Sequence, residues 1–385
     1  MRETMVLLAI AFQLLVATSG SAQRCGFSGG RPAAEVPAPS LPEDEIVIPV
    51  VVHIVWQQPE ENIPDARVFS QIEALNEAFA AQNIPDGLVP NLFQPFITDT
   101  GIRFCLATRD PEGNPTTGIE RRQTPLTIAP GGTQELHYTE LGGLDAWDPD
   151  RYLNIWVTRF AGGITGTATF PEEAPPQEDG VEIHYEFFGK GGTPPYDRGI
   201  TTVHEVGHWL GLIHPWGPGE PTCDEDDGLS DTPLSEVTYQ GECPFWLVFS
   251  CGTPDMSMNF MYYTDDACMA MFTPQQRDLM WATLNGPRSS LKTSDGCAFT
   301  PVSTEEVGTS PFRLWPNPNA GRFWFEADTG TVVEVYDVAM GRLMLRLSAN
   351  AARKQVAHGL SNGTYVVVWL RDGRIVGRQR MSVLR

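Results

Sequence analysis

The pattern of apolar and polar residues predicts a mixed α/β domain over residues 46–300. A continuous β-branched run at residues 46–56 is typical of a buried strand. A helix is predicted to begin at Pro64 and Asp65, because apolar residues then recur at helical spacing, at Val68, Ile72, Leu75 and Phe79. Further strands are predicted at residues 102–107, 152–158 and 181–185. A domain of about 250 residues is large enough for a substantial core.

The character of the chain changes after Cys297. Residues 301–311 are a polar linker, and residues 312–385 alternate short strand-like runs with glycine-containing turns, which predicts a small β-sandwich. This last segment has a net charge of +6 and the remainder of the chain has a net charge of −28, so the whole chain has a net charge of −22. No nucleic-acid-binding pattern is visible. The acidic part either favours basic peptides or keeps the protein soluble.

Three of the seven histidines fall within eleven residues, at His204, His208 and His214. On a helix, His204 and His208 project from one face and can bind one metal ion together. Gly211 can take a positive φ and end that helix, which brings His214 back as a third ligand. Three protein ligands leave one position for water, as in a catalytic zinc site. The alternative is three core or surface histidines that are close by coincidence.

Glu205 lies beside the first of these histidines and is the candidate general base. Zinc lowers the pKa of bound water to roughly 7, and Glu205 is positioned to take a proton as water attacks a peptide carbonyl. The protonated Glu205 could then pass the proton to the leaving amine.

Residues 201–212, residues 231–233 and the segment around Met261 together resemble the pappalysin family of metzincins, over roughly residues 46–297. The resemblance implies a metzincin catalytic domain of α+β type, with a mixed sheet and an active-site helix. It also implies a secreted zinc endopeptidase that acts on proteins or peptides. Met261 is then the hydrophobic floor beneath the zinc, and the phenol of Tyr263 assists catalysis by stabilising the oxyanion.

Residues 1–22 are predicted to be a signal peptide. Arg2 precedes an apolar run at residues 5–16, and small residues follow at 20–22. A transmembrane anchor is the alternative, but the run is shorter than the roughly twenty residues that a spanning helix needs. No later stretch is long and apolar enough to span a membrane.

Cysteine number points to a latent form. Export favours disulfides, and seven cysteines cannot all pair. Cys25 is the natural unpaired one, in a prosegment at residues 23–45, and a thiolate there could occupy the open zinc position. The Arg24-Cys25-Gly26 sequence resembles the cysteine switch of other metzincins. An intermolecular disulfide and a lipid anchor are the alternatives, and the activation cleavage site stays open.

The other six cysteines allow fifteen pairings, so residue chemistry alone does not choose between them. The family resemblance implies Cys223–Cys251 and Cys243–Cys268, which leaves Cys105 and Cys297 for a third bridge.

An acidic loop at residues 224–231 carries five carboxylates. Such a loop either stays solvated or binds calcium, which takes six to eight oxygen ligands. The resemblance favours a structural calcium ion, with Asp227, Asp231 and Thr232 as the expected ligands.

Residues 312–385 contain Trp315-Pro316-Asn317-Pro318 and a series of short glycine- and tyrosine-containing motifs. Their order resembles the C-terminal sorting domain of the type IX secretion system. The resemblance implies export through the periplasm and across the outer membrane of a Gram-negative bacterium, with the secretion machinery as a partner. A carbohydrate- or surface-binding β-module is the alternative.

Two classes of function follow from these patterns. The first is a secreted metalloendopeptidase made as a latent zymogen. The second is a surface-binding or adhesive protein with a vestigial zinc site, against which the intact Glu205 counts, because a structural site needs no base. Substrate preference and oligomeric state are open.

Overall fold

The structure is a computed structural model. It describes residue 25 and residues 45–126, 134–171, 173–244, 246–297, 312–337, 343–349, 352–360, 363–371 and 374–384. The predicted signal peptide, the linker and most of the prosegment lie outside these residues.

The first part of the chain contains one mixed sheet and three α-helices. In chain order its elements are β1 (Ile46–Trp56), α1 (Asp65–Phe79), β2 (Ile102–Leu106), β3 (Ile119–Gln123), β4 (Leu153–Thr158), β5 (Gly166–Ala168), β6 (Val181–His184), α2 (Ile200–Trp209) and α3 (Pro274–Asn285).

Strand β1 lies at the centre of the sheet. It pairs in parallel with β2 along its first half and with β3 along its second half, while β4 runs parallel on its other side. Strand β6 is parallel to β4, and β5 closes this side of the sheet as an antiparallel edge strand. The sheet is therefore mixed, and its one antiparallel strand among the described residues is also an edge.

The two faces of the sheet separate a large core from a smaller one. Alternate residues of β1, such as Val50 and Val52, join the main core with residues of α1, α2 and α3. The intervening Val55 packs on the other face with Trp156 and Leu136. Both faces of the sheet are covered, which is why β1 reads as a continuous apolar run.

Local sequence explains where α1 and α3 begin. Helix α1 follows Pro64, whose backbone is extended, and its four predicted apolar residues are all buried. Helix α3 has a capping box, in which the Thr273 side chain accepts from the Gln276 N–H and the Gln276 side chain accepts from the Thr273 N–H, with Pro274 in the first turn.

The C-terminal part forms two antiparallel sheets that share one core. Its strands are β7 (Arg313–Trp315), β8 (Arg322–Glu326), β9 (Val332–Asp337), β10 (Leu343–Ser348), β11 (Arg353–Ala357), β12 (Gly363–Arg371) and β13 (Arg374–Val383). The sheet orders are β10-β9-β12-β13 and β11-β8-β7. Phe325 and Trp369, one from each sheet, are fully buried in the shared core.

The predicted fold class is confirmed, and the strands and helix predicted from periodicity are present within a residue or two. Strands β3 and β5 and helix α3 were not predicted. Helix α3 did carry a recognisable signal, the Thr-Pro-Gln-Gln sequence of its capping box. No helix in the described part of the chain is long and apolar enough to cross a bilayer.

Candidate metal centre and active site

Helix α2 and the turn after it bring three imidazoles to one point. His204 and His208 lie one turn apart on α2, which ends at Trp209. Gly211 has φ +94°, and this reversal returns His214 to the same side. The Nε2 atoms are 3.1 Å apart for His204 and His208, and each lies 3.2 Å from the Nε2 of His214.

Backbone carbonyls orient two of the three rings. The Nδ1 of His204 is 2.8 Å from the carbonyl oxygen of Phe260, and the Nδ1 of His208 is 2.8 Å from that of Leu212. A carbonyl can only accept, so each Nδ1 carries the proton and each Nε2 points a lone pair at the shared point. Burial lowers the pKa of His208 to about 4 and that of His214 well below its usual value, which keeps these rings neutral.

The arrangement fits zinc. Tetrahedral coordination at 2.0–2.1 Å separates the ligand nitrogens by about 3.3 Å, close to the separations of the three Nε2 atoms. The Sγ of Cys25 belongs to the same cluster, since it and the three imidazole nitrogens all lie within 4.8 Å of one another and all four residues are buried. Three neutral nitrogens and one sulfur are a donor set that zinc prefers.

Glu205 is fully buried next to this cluster. Its Oε2 is 3.6 Å from the Sγ of Cys25. On its other side lies Gly166 in β5, where an added Cβ would stand 2.9 Å from the Glu205 Cγ. A glycine at this position is therefore required for the edge strand to pass directly over the carboxylate.

Aromatic rings surround His214. Trp216 stacks on it with the ring centroids 4.5 Å apart and an interplanar angle of 12°. The ring of Tyr263 lies 4.9 Å from that of His214 and 5.7 Å from that of His204. Sequence reasoning did not identify Trp216, although its position two residues after the third histidine makes it a natural packing partner.

Met261 lies beneath α2, fully buried. An alanine in place of Gly207 would put its Cβ 2.6 Å from the Met261 sulfur, so the absence of a side chain at residue 207 gives this methionine its place. Asn259 holds the turn, because its Oδ1 accepts from the N–H of Met261 and its amide exchanges hydrogen bonds with the side chain of Gln276.

In the acidic loop at residues 224–231, Asp227 and Asp231 have different hydrogen-bond partners. Asp227 is buried, and burial raises its pKa to about 8. Its Oδ1 accepts from the hydroxyl of Thr232 and the N–H of Leu229, while its Oδ2 has no hydrogen-bond partner in the described part of the chain. Both oxygens of Asp231 instead accept from the first residues of α3, the Thr273 hydroxyl and the Gln275 N–H.

Three disulfides join Cys105 to Cys297, Cys223 to Cys251 and Cys243 to Cys268. These are the pairs that the family resemblance implies. Cys25 belongs to none of them.

His53 in β1 and His184 in β6 are not part of this cluster. His53 is fully buried and contacts Glu120 at 2.8 Å and Asn154 at 3.0 Å. The Nδ1 of His184 accepts from the N–H of Glu186, and burial lowers the pKa of its ring. Neither belongs to the imidazole cluster described above.

A partly buried ion pair that the sequence did not indicate ties α2 to the edge strand. The guanidinium of Arg288 donates twice to Asp179, at 2.6 and 2.8 Å, and its Nε donates to the carbonyl of Trp209 at the end of α2. Asp179 also accepts from the Trp209 indole and from the hydroxyl of Thr169, the residue after β5. Asp179 and Arg288 are 109 residues apart, so no local pattern reveals this pairing.

Comparisons with known proteins find metalloproteases. The model of the Peptidase M43 family, described as pregnancy-associated plasma protein-A, matches residues 143–285. An extracellular metalloprotease of Arthroderma benhamiae is 28% identical over 239 residues, which cover 60% of this chain and 74% of the relative. Extracellular metalloprotease 1 of Coccidioides posadasii is 28% identical over 310 residues, covering 72% and 95%.

Two solved structures have a higher sequence identity to this chain than these two relatives do. Mature mirolysin of Tannerella forsythia, in complex with a cleaved peptide, is 40% identical with a TM-score of 0.62, and the match covers 66% of this chain and 97% of that one. A promirolysin mutant of the same organism is 39% identical with a TM-score of 0.61, covering 65% and 85%.

Replacing Arg288 by Met should lower the free energy of unfolding by about 2–3 kcal/mol, because the partly buried Asp179 loses its charged hydrogen-bond partner. Denaturant unfolding followed by tryptophan fluorescence measures the change. The control is Arg121→Met in β3, whose ion pair with Asp65 is more exposed and should contribute about 1 kcal/mol or less. Equal losses for the two variants would contradict this assignment.

Proposed function

Because the chain belongs to the pappalysin family of metzincins and is a zinc metalloendopeptidase, we propose that Glu205 is its general base and His204, His208 and His214 are its zinc ligands. The observation that supports this most directly is the convergence of three buried Nε2 atoms within 3.2 Å of one another, with the Glu205 carboxylate beside them. Zinc, when bound, supplies a lowered pKa for water and polarisation of the scissile carbonyl.

Glu205 accepts the proton of the attacking water and returns it to the departing amine. Its burial removes competing water, which strengthens the interaction of the carboxylate with a nearby proton donor. Tyr263, whose ring lies against the imidazole cluster, donates its phenol hydrogen to the developing oxyanion. The ring contacts of Tyr263 with His204 and His214 keep it close to the reacting atoms.

The edge strand β5 offers a binding mode for a peptide main chain. Its outer edge carries backbone groups that pair with no other strand of this sheet, and it passes over Glu205 at Gly166. An extended peptide can add to such an edge by backbone hydrogen bonds, which places its carbonyls in front of the site. The similar mirolysin structure contains a cleaved peptide, which supports peptide substrates for this chain.

In the activated enzyme, freed of its prosegment, replacing Glu205 by Gln should reduce peptide hydrolysis by about 10²–10⁴-fold, since the base is lost while the ligands remain. Cleavage of a denatured protein is followed, and bound zinc is measured by metal analysis, which should be unchanged. Glu186→Gln, a change at a more exposed carboxylate, serves as the control. If zinc is bound but neither the parent nor the control cleaves any substrate, the surface-binding alternative with a vestigial zinc site is preferred.

We further propose that Cys25 keeps the enzyme latent. Its thiol is buried, within 4.8 Å of the imidazole nitrogens and in contact with the Glu205 carboxylate. A thiolate at this position would be a fourth ligand to a bound zinc ion and would keep water away from Glu205. The existence of promirolysin as a precursor of a similar enzyme supports a zymogen.

The Cys25→Ala precursor should therefore cleave substrate without the lag of the parent precursor. A mercurial thiol reagent added to the parent precursor should shorten its lag in the same way, which tests the idea without a mutation. Both time courses are recorded with equal zinc loading. A Cys25→Ala precursor that stays as inactive as the parent would show that another part of the prosegment maintains latency.

A structural calcium ion in the acidic loop is also proposed. The support is the buried Oδ2 of Asp227, which no described group satisfies, next to the Thr232 hydroxyl and several exposed carboxylates. Asp231 remains a candidate ligand, although its contacts with α3 already engage both of its oxygens.

Calcium should raise the melting temperature of the zinc-loaded protein at roughly millimolar concentration, the range of extracellular calcium modules. Magnesium at the same concentration should have little effect, because it prefers a smaller octahedral shell. Asp227→Asn should remove the calcium increment, whereas Asp224→Asn, at an exposed position, should retain it. An equal response of all three proteins would argue against this site.

Export and domain organisation complete the proposal. We propose that residues 1–22 direct export, residues 23–45 form the prosegment, residues 46–300 the protease domain, and residues 312–385, after the linker at 301–311, a type IX sorting domain. Relatives named extracellular metalloproteases support a secreted enzyme. The two-sheet C-terminal part suits a sorting domain and equally a surface-binding module.

A further inference from the structure

Exposed apolar side chains stand on two segments of the protease domain, residues 246–249 and residue 237, which a hydrogen bond from Glu236 to Ser250 joins. Trp246 is 70% exposed and Phe249 63%, with Leu247 and Val237 at 37% and 36%. We call these four residues the apolar patch. They make up half of the eight large hydrophobic side chains that are exposed in the described part of the chain. A concentration of aromatic side chains on a surface marks an interaction site more often than scattered ones do.

The loop that carries Trp246, Leu247 and Phe249 of the patch is fixed by covalent and hydrogen bonds. Disulfides fix both of its ends, through Cys243 to Cys268 and through Cys251 to Cys223. Within the loop, the carbonyl of Val248 accepts from the N–H of Asp255 at 2.9 Å, and the Val248 side chain packs against the main core. A loop fixed in this way loses little conformational entropy when it binds a partner.

Hydrogen bonds join the segments that carry the patch to Tyr263. The N–H of Tyr263 donates to the carbonyl of Thr238 at 3.1 Å, next to Val237 of the patch. The N–H of Glu236 donates in turn to the hydroxyl of Ser250, next to Phe249. Hydrogen bonds therefore connect the segments that carry the patch to the backbone of Tyr263.

The charged residues that precede and follow the patch along the chain are all acidic. No Lys or Arg occurs between Arg198 and Arg277, whereas twelve Asp and Glu residues do. Glu236 and Glu242, which flank the patch along the chain, are both exposed. This field repels an anionic lipid surface and attracts Lys and Arg side chains.

We propose that the apolar patch is a second substrate-binding surface, outside the point of cleavage. It takes an apolar segment of the substrate polypeptide that has Lys or Arg residues beside it. The inference rests on the proposed peptidase function and adds the class of substrate that the enzyme prefers: unfolded or extended chains that combine hydrophobic and basic residues.

The test compares two fluorogenic peptides with the same cleaved bond. The short one has only the residues around that bond, and the long one adds on each side a segment with apolar and Lys residues. In the activated enzyme, Trp246→Ser/Phe249→Ser should lower kcat/KM for the long peptide by about tenfold, as expected for loss of aromatic anchors. Its kcat/KM for the short peptide should be unchanged.

The control is Leu92→Ser/Leu141→Ser, which removes two other exposed apolar side chains, 50% and 49% exposed, and should affect neither peptide. A parallel loss on both peptides, or an unchanged value for the long one, would overturn the proposal. So would patch-dependent binding to neutral phosphatidylcholine vesicles or patch-dependent dimerisation. If the unaltered enzyme cleaves neither peptide nor a denatured protein, the peptidase function itself fails, which is a separate result.

Discussion

Two backbone carbonyls, those of Phe260 and Leu212, accept hydrogen bonds from the Nδ1 atoms of His204 and His208. Contacts elsewhere in the domain determine where these carbonyls lie. Phe260 belongs to the turn that Asn259 organises, and Asn259 is bonded to Gln276 in the capping box of α3. Leu212 follows the reversal at Gly211. Through Gln276 and Asn259, the start of α3 thus helps to hold the carbonyl that fixes the proton of His204 on Nδ1 and leaves the lone pair on Nε2.

Helix α3 supports the site from both of its ends. Its first turn engages Asn259 and Asp231, while Arg288, just beyond its last residue, bonds to the carbonyl of Trp209 and to Asp179. None of these side chains reaches the imidazole cluster directly. They determine instead how α2, the turn at Met261 and the edge strand lie relative to one another, and a catalytic geometry of this kind depends on such supporting contacts.

Local sequence patterns were enough to predict the convergence of the three imidazoles beside Glu205 and the central strand, because histidine spacing and helical or strand periodicity are properties of neighbouring residues. Strand β5 escaped prediction since three residues carry no usable period. The pairing of Asp179 with Arg288 depends on tertiary structure alone. For the acidic loop, composition left a solvated loop and a calcium site open, and the family resemblance favoured calcium. In the fold, Asp231 bonds to the start of α3, and one oxygen of Asp227 has no hydrogen-bond partner among the described residues.

The bridge between Cys105 and Cys297 closes the polypeptide into a covalent ring. The imidazole ligands, Glu205, Tyr263 and both other disulfides lie inside that ring. A protease is exposed to cuts by its own copies, and a single cut anywhere between the two cysteines leaves both pieces joined. Fragments separate only after a second cut or reduction of the bridges, and trimming of the chain beyond residue 297 leaves the ring intact.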